Sequence, residues 1–549
     1  MTTSTDITPR KNANELAARI GWAALICATL YVCYFSHLGA IGFVGPDEPR
    51  YAWIARDMAE TGDWVTPRLY GKPWFEKPPL YYWGAAICFK LFGVSEAVAR
   101  LPSAISALLA TLVMAWLAWR VYGTETARWL LLLLPTTVGM IGFSHAAAID
   151  MPFSAMLTIA MVCAAVVLGL TRNENTPILP RTPWLALILF GFFLGLAVLA
   201  KGPAAIILSG GAVFFWALIT KRWRDAFRLL HPIAIAAFCA TALPWYILCA
   251  RRNPDFFRIF IIEHNFKRFL TPEFQHIQPF WYYGPILCVG LFPWIGMTFS
   301  AVLNGFRQKL GMKLTSAFIF ILTSSAFPVI FFSVSKSKLP GYILPAIPAF
   351  ALLTAYALVS ALRMEKVPVP AGFAVLGLTP IVTVAANGLG IYWSMPHDLH
   401  LFAVAASLLA LFATALALLF AFGGKHRATL ITGILAWVCF IALANRVAMP
   451  WLDSRVSARL IALDILRKPE TNSRVMVFRM QRGRQYALDF YLDRELTELN
   501  PAEPQAQYVV SSMNGIIELM EKRIPYEVVN KDCADAILIR VRPQVVVYH

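Results

Sequence analysis

The sequence predicts an α-helical polytopic membrane protein of about thirteen transmembrane helices, followed by a small C-terminal α/β domain. Three observations predict this. Charged residues make up 14% of the 549, against roughly 25% in soluble domains, while 58% are hydrophobic. Apolar runs of about 20 residues, the helix length that a hydrocarbon core of about 30 Å requires, recur as far as residue 449. After Trp451 short β-rich runs alternate with helix-like stretches. The mean hydropathy of +0.61 agrees.

The predicted spans are 20–44, 98–119, 128–145, 150–171, 183–200, 203–220, 232–250, 281–303, 315–334, 340–361, 371–393, 400–422 and 428–449. The segment 80–92, LYYWGAAICFKLF, is short, aromatic and interrupted by Lys90, which fits a helix lying at the interface. Residues 1–19 form a polar N-terminal segment, and the run after it has no small-residue cleavage site, so a retained first helix is expected. Residues 20–449 form the membrane domain, with large loops at 45–97 and 251–280. Residues 450–549 form the α/β domain, with strands at RVMVF, AQYVVS and ADAILIRV and helices near 455–466 and 514–522.

Charge distribution orients the chain. Arg10, Lys11, Arg19, Arg120, Arg172, Arg181, Lys221, Arg222, Arg224, Arg228, Arg307, Lys309, Lys313, Arg363, Lys366, Lys425 and Arg427 all fall on one side, which the positive-inside rule makes the cytoplasm. The N-terminus is then inside and the C-terminus outside. Topology thus accounts for most of the +17 net charge, and no nucleic acid is needed. Nine cysteines without a CxxC exclude a disulfide framework or zinc knuckle. The exceptions to the rule are outer-side basic residues in 45–80, at Lys201, in 251–280 and in 335–339. An anionic partner at the outer face is the simplest physical reason for them.

Five segments carry candidate chemistry. In GPDEPRYAW (45–53), Asp47 and Glu48 follow a span directly, with Arg50 as a charge partner and Pro46 and Pro49 stiffening the backbone; a solvated turn is the bland alternative. In KPWFEKPPLYYW (72–83), Lys77 suits a phosphate and Glu76 an oxygen ligand or base; an interfacial anchor is the alternative. In SHAAAIDMP (144–152), Asp150 sits at the end of two spans with His145 near it, as a site carboxylate, a helix N-cap or both. The loop 251–280 holds Glu263, His264, Glu273 and His276, with Lys267 and Arg268 suited to phosphate. In SKSKLPGYILPAIP (335–348), Lys336 and Lys338 end a span, prolines and Gly341 loosen the backbone, and Tyr342 could donate to an oxyanion; snorkelling lysines are the alternative.

The DE pair after the first span, EKPPLYYW, ARLPSA (99–104), Asp150, AKGP (200–203) and SKLPGYILPAIP run in order across residues 20–350. In that order they resemble the GT-C superfamily of lipid-phosphate-dependent glycosyltransferases. Within it they look most like the bacterial 4-amino-4-deoxy-L-arabinose lipid A transferases, with protein O-mannosyltransferases as relatives. The resemblance implies an undecaprenyl-phosphate-linked donor, a lipid A phosphate acceptor, and chemistry on the periplasmic face of a bacterial inner membrane by a monomer. It implies Asp47 as the main reaction-site carboxylate, with Glu48 beside it and Asp150 lining the site. Glu76 and His264 would hold a divalent cation, zinc or magnesium. Lys77, Arg268 and Lys338 would hold lipid phosphate near Tyr342, and Arg50, Lys201 and Lys336 would also contact substrate. The alternative within the superfamily moves another sugar, such as mannose, to a protein or glycan. A transporter or flippase is the non-enzymatic alternative, and the absence of a visible broken-helix pair in matching halves speaks against it.

Overall fold

A computed structural model describes residues 9–171, 184–260, 278–306, 314–363, 397–501, 507–533 and 536–542. The predicted span 371–393 and the candidates Glu263, His264, Lys267, Arg268, Glu273 and His276 lie outside the described residues. Among the described residues nine helices are long and apolar enough to cross a membrane, and two bent pairs pass the same test together. The chain is a multi-pass membrane protein.

The helical body comprises α1 (Pro9–Tyr34), α4 (Glu96–Tyr122), α5 (Thr124–Leu133), α6 (Val138–Ser144), α7 (Asp150–Val167), α8 (Trp184–Lys201), α9 (Ala204–Thr220), a single turn α10 (Trp223–Ala226) and α11 (Pro232–Arg252). It continues through α12 (Tyr283–Gly290), α13 (Ile295–Phe306), α14 (Ser316–Val334), α15 (Ala346–Arg363), α16 (His397–Phe422), α17 (His426–Leu443) and α18 (Met449–Val456). Apart from 371–393, each predicted span coincides with one of these helices or a bent pair. Small residues let the backbones approach. Gly191 and Gly195, four apart on α8, face α11 so closely that a Cβ on Gly191 would lie 2.0 Å from the Ala234 carbonyl oxygen.

Two predicted straight spans are broken. The α5–α6 pair bends by 61° and the segment 280–303 by 114°. Each break contains a proline, Pro135 or Pro293, which removes a ladder donor. The two breaks satisfy each other's freed groups. The Val138 N–H donates to the Phe292 carbonyl at 3.0 Å, and Trp294 Nε1 to Thr136 Oγ1 at 2.9 Å. Trp437 Nε1 donates to the Thr136 carbonyl at 2.9 Å.

The first loop region is more structured than the sequence suggests. The first helix ends at Tyr34 rather than near residue 44, and the supposed turn at Asp47 is the start of α2 (Asp47–Thr61). Pro46 and Pro49 flank the first helical residues, where a missing N–H costs nothing. A two-residue hairpin, β1 (Arg68–Leu69) and β2 (Lys72–Pro73), leads to α3 (Leu80–Phe92), the expected short aromatic helix.

The C-terminal domain places β3 (Val475–Phe478), β4 (Gln507–Ser511), β5 (Tyr526–Cys533) and β6 (Ala536–Val541) in the order β3-β4-β6-β5, with only β3–β4 parallel. Its helices are α19 (Arg459–Leu466), α20 (Pro469–Ser473), α21 (Arg482–Leu492) and α22 (Met513–Glu521). Alternation covers both faces of the sheet. Val509 and Ile539 pack on Ile516 and Leu519 of α22. Val510 and Leu538 join Ile461 and Leu488 in a core that continues into Tyr51, Ile54 and Met58 of α2 and Tyr81 of α3. The domain is therefore welded to α2 through apolar burial.

Tyr70 fastens the same joint, donating to Asp489 Oδ2 at 2.6 Å. Burial pushes the Asp489 carboxyl up to about 6, against the hydrogen bonds from Tyr70 and the Leu496 N–H. Its folded pKa then lies above the unfolded value, so the native state binds the extra proton between about pH 4 and 6. Stability from this group is full at low pH and falls as pH rises through that window, by up to about 3 kcal/mol. Thermal unfolding from pH 4.5 to 7.5 should show Asp489→Asn gaining on the wild type as pH rises through the window.

Candidate active site

The site is built where the chain leaves α1 and enters α2. Glu48 is buried, and its two oxygens accept four hydrogen bonds. Arg100 Nε and Nη2 donate at 3.0 and 2.8 Å, and the N–H groups of Val44 and Ala147 at 2.8 and 2.7 Å. Arg100, 1% exposed, spends its remaining donors on the carbonyls of Leu38 (2.8 Å), Ile41 (2.6 Å) and Gly42 (2.9 Å). All five guanidinium N–H groups are used, which ties the 38–48 loop to α4 and to the α6–α7 connection.

Asp47 has the opposite character. Its side chain is half-exposed, and among the described residues only Arg50 bonds it, at 2.5 Å. Arg50 is buried and also pairs with Glu76 at 3.1 Å. Its guanidinium lies over Trp74 (5.1 Å), Tyr51 (5.4 Å) and Tyr486 (5.9 Å). Two neighbouring carboxylates outweigh burial and hold the Arg50 pKa above its usual range. Arg50 was expected to contact substrate; here it bridges two carboxylates and, among the described residues, bonds one of the two Asp47 oxygens.

A second cluster forms three residues beyond Ala147, so within about 11 Å of backbone. Asp150, expected as a site carboxylate, a helix N-cap or both, forms no side-chain cap bond, and its carboxylate pairs with Lys201 at the end of α8. Lys201 was expected on substrate; its ammonium lies 4.4 Å from the Tyr342 ring centroid and 5.3 Å from that of Phe153. A Cβ on Gly341 would come 2.7 Å from the Asp150 carboxylate. The IDMP, AKGP and LPGY motifs thus meet at one place. Gly341→Ala should displace Asp150 from Lys201 and slow turnover on the order of tenfold or more, with folding intact; initial rate set against melting temperature checks this.

The lysines expected to hold phosphate separate. Lys336 is exposed, whereas Lys338 is buried and donates to the carbonyls of Gln278 (3.0 Å) and Ser335. Burial and then Lys336 lower the Lys338 pKa. Lys77 is partly exposed directly after Glu76. Among the described residues no three His, Cys, Asp or Glu side chains come together to hold a metal ion.

Arg100 and the C-terminal contacts were missed as site-building residues. Asp453 Oδ1 accepts from the Gly42 N–H (2.6 Å), Tyr491 Oη from the Phe43 N–H (3.0 Å), and Arg459 donates to the Gly39 carbonyl (2.8 Å). The position of Arg100, a cation four residues into an apolar helix, was the available signal for the first; contacts spanning more than 400 residues left none.

Comparison with known proteins agrees with this architecture. Residues 22–260 match the dolichyl-phosphate-mannose-protein mannosyltransferase family. The chain is 35% identical over 347 residues to the undecaprenyl phosphate-alpha-4-amino-4-deoxy-L-arabinose arabinosyl transferase of Yersinia enterocolitica, covering 62% of this chain and 60% of that one. It is 33% identical over 337 residues to the protein of the same description from Edwardsiella ictaluri, covering 61% and 59%. The chain thus spans about three-fifths of the length of these relatives. The crystal structure of ArnT from Cupriavidus metallidurans bound to undecaprenyl phosphate superposes with a TM-score of 0.76 at 23% identity, over 95% of this chain and 98% of that one. The fold is that of the ArnT structure, and residues 22–260 are similar in sequence to the mannosyltransferase family. In sequence it is similar to the aminoarabinose transferases.

Proposed function

We propose that this protein transfers 4-amino-4-deoxy-L-arabinose from undecaprenyl phosphate to a lipid A phosphate, as a monomer in the bacterial inner membrane. The site would face the periplasm, with the N-terminus in the cytoplasm and the C-terminus outside. The observation that carries the reading is the contrast between neighbours. Glu48 is saturated and buried, whereas Asp47 presents a carboxylate oxygen held in place by Arg50. Its sequence neighbours are the amphiphile-handling transferases described above.

In this reading the bond between the anomeric carbon and the donor phosphate oxygen breaks, and undecaprenyl phosphate leaves with the electron pair. Lys77, with Arg268 from the loop at 251–280, stabilises the charge on that phosphate, near Tyr342. Asp47 faces the anomeric centre and stabilises its oxocarbenium-like charge. An oxygen of the acceptor phosphate forms the new bond. That phosphate is already anionic at neutral pH, so no general base is required. Glu48 is assigned to positioning, because its acceptor capacity is spent. Asp150 and Lys201 fix the 145–150 connection on which the site rests.

The divalent cation expected on Glu76 and His264 does not fit the described residues by themselves. Glu76 and Asp47 already share Arg50, and among the described residues no third ligand joins them there. No step is routed through a cation.

The purified chain should be given undecaprenyl-phosphate-linked aminoarabinose with either diphosphoryl lipid A or a Ser/Thr peptide. Product from lipid A alone supports the proposal. Product from the peptide alone favours the second reading, to which the mannosyltransferase family match lends weight; Asp47 would then take the hydroxyl proton.

A further inference from the structure

Resting on that reading, we propose that the C-terminal domain forms part of the acceptor site, with Arg482 binding an anionic phosphate of the acceptor amphiphile beside Asp47. The first turn of α21 lies against the start of α2. A Cβ on Gly483 would sit 2.7 Å from the Gly45 carbonyl carbon and 3.0 Å from the Pro46 nitrogen, one residue before Asp47. One turn further on, the Tyr486 ring is approached by two guanidinium groups, Arg50 at 5.9 Å and Arg482 at 5.6 Å. Arg482 Nε donates to the Tyr486 hydroxyl at 3.1 Å, which holds the exposed arginine beside the site.

Charge accounting separates Arg482 from its neighbours. Arg50 is engaged by Asp47 and Glu76, Arg459 by Asp453, and Arg479 by Glu518. Among the described residues Arg482 has no carboxylate partner, and neither has Arg455, which lies over Trp451 at 4.6 Å. Arg484 donates to the Arg455 carbonyl at 3.0 Å, a further contact between α21 and α18. An anionic acceptor approaching Asp47 is repelled by that carboxylate, and a cation on the approach side offsets the repulsion. A guanidinium steadied on a tyrosine keeps a planar fork of donors suited to phosphate.

The test uses the full chain in phosphatidylcholine nanodiscs, with undecaprenyl-phosphate-linked aminoarabinose as donor and diphosphoryl or dephosphorylated lipid A as probe. Arg482→Ala should raise the acceptor KM about tenfold, with kcat and donor KM within about twofold; Arg482→Lys should recover part of the loss. Direct binding should favour diphosphoryl over dephosphorylated lipid A in the wild type, and Arg482→Ala should erase that preference. Inorganic phosphate should compete only weakly if the ligand is the lipid-borne group; competition as strong as that of lipid A would overturn the amphiphile assignment. An unchanged acceptor KM and an unchanged phosphate preference would overturn the proposal. So would a fall in kcat alone, which would make Arg482 a prop for Tyr486. Absence of turnover by the wild type, with Arg482-dependent binding intact, would instead overturn the transfer reading and leave this site standing.

Discussion

Asp47→Asn should lower sugar transfer by a factor on the order of 10² to 10³ and leave the melting temperature close to that of the wild type. The asymmetry follows from what the side chain holds. Asp47 is half-exposed and bonded only by Arg50 among the described residues, and an asparagine oxygen can still accept that bond. What the substitution removes is the negative charge offered to the anomeric carbon. Initial rates and thermal unfolding on one preparation check both halves. A variant that loses rate and stability together would make Asp47 a structural residue.

Arg100→Met should do the reverse and cost about 3–5 kcal/mol of stability, because it strands a buried carboxylate. Glu48 would keep only the Val44 and Ala147 N–H groups, and the carbonyls of Leu38, Ile41 and Gly42 would lose their donor. The expected result is a sharp fall in the yield of monodisperse protein and in the melting temperature, with Glu48→Gln together with Arg100→Met recovering part of it. A wild-type melting temperature in Arg100→Met would show that the loop is held by the C-terminal domain alone.

The membrane architecture was legible because its signal is local: a run of about 20 apolar residues is visible without any knowledge of its neighbours. The strands at RVMVF, AQYVVS and ADAILIRV were legible for the same reason. The prolines carry more than their local stiffness shows. At 46–49 they stiffen the backbone as expected, but they do so at the start of a helix, where proline loses nothing. At 135 and 293 they were passed over inside apolar runs, yet both mark breaks whose freed groups find partners on each other.

The chemistry of the site was legible as residue types and as the local Asp47–Arg50 pair, and illegible as pairs between segments. Asp47, Arg50 and Glu76 were each singled out, but nothing local shows that Arg50 would stand between the two carboxylates. Asp150 looked like a cap because the residues after it start a helix, and its partner Lys201 lies 51 positions away. Gly42 and Asp453 meet across 411 positions, so the role of the C-terminal domain in holding the Asp47 loop could come only from the fold.

The most direct measurement is the mass spectrum of lipid A from a Gram-negative host that makes the lipid-linked donor but lacks its own aminoarabinose transferase, expressing this chain or its Asp47→Asn variant. The account predicts one added aminopentose with the wild type and none with the variant, both proteins being present in the membrane at equal levels. Unmodified lipid A with the folded wild type, or equal modification by both, would contradict it.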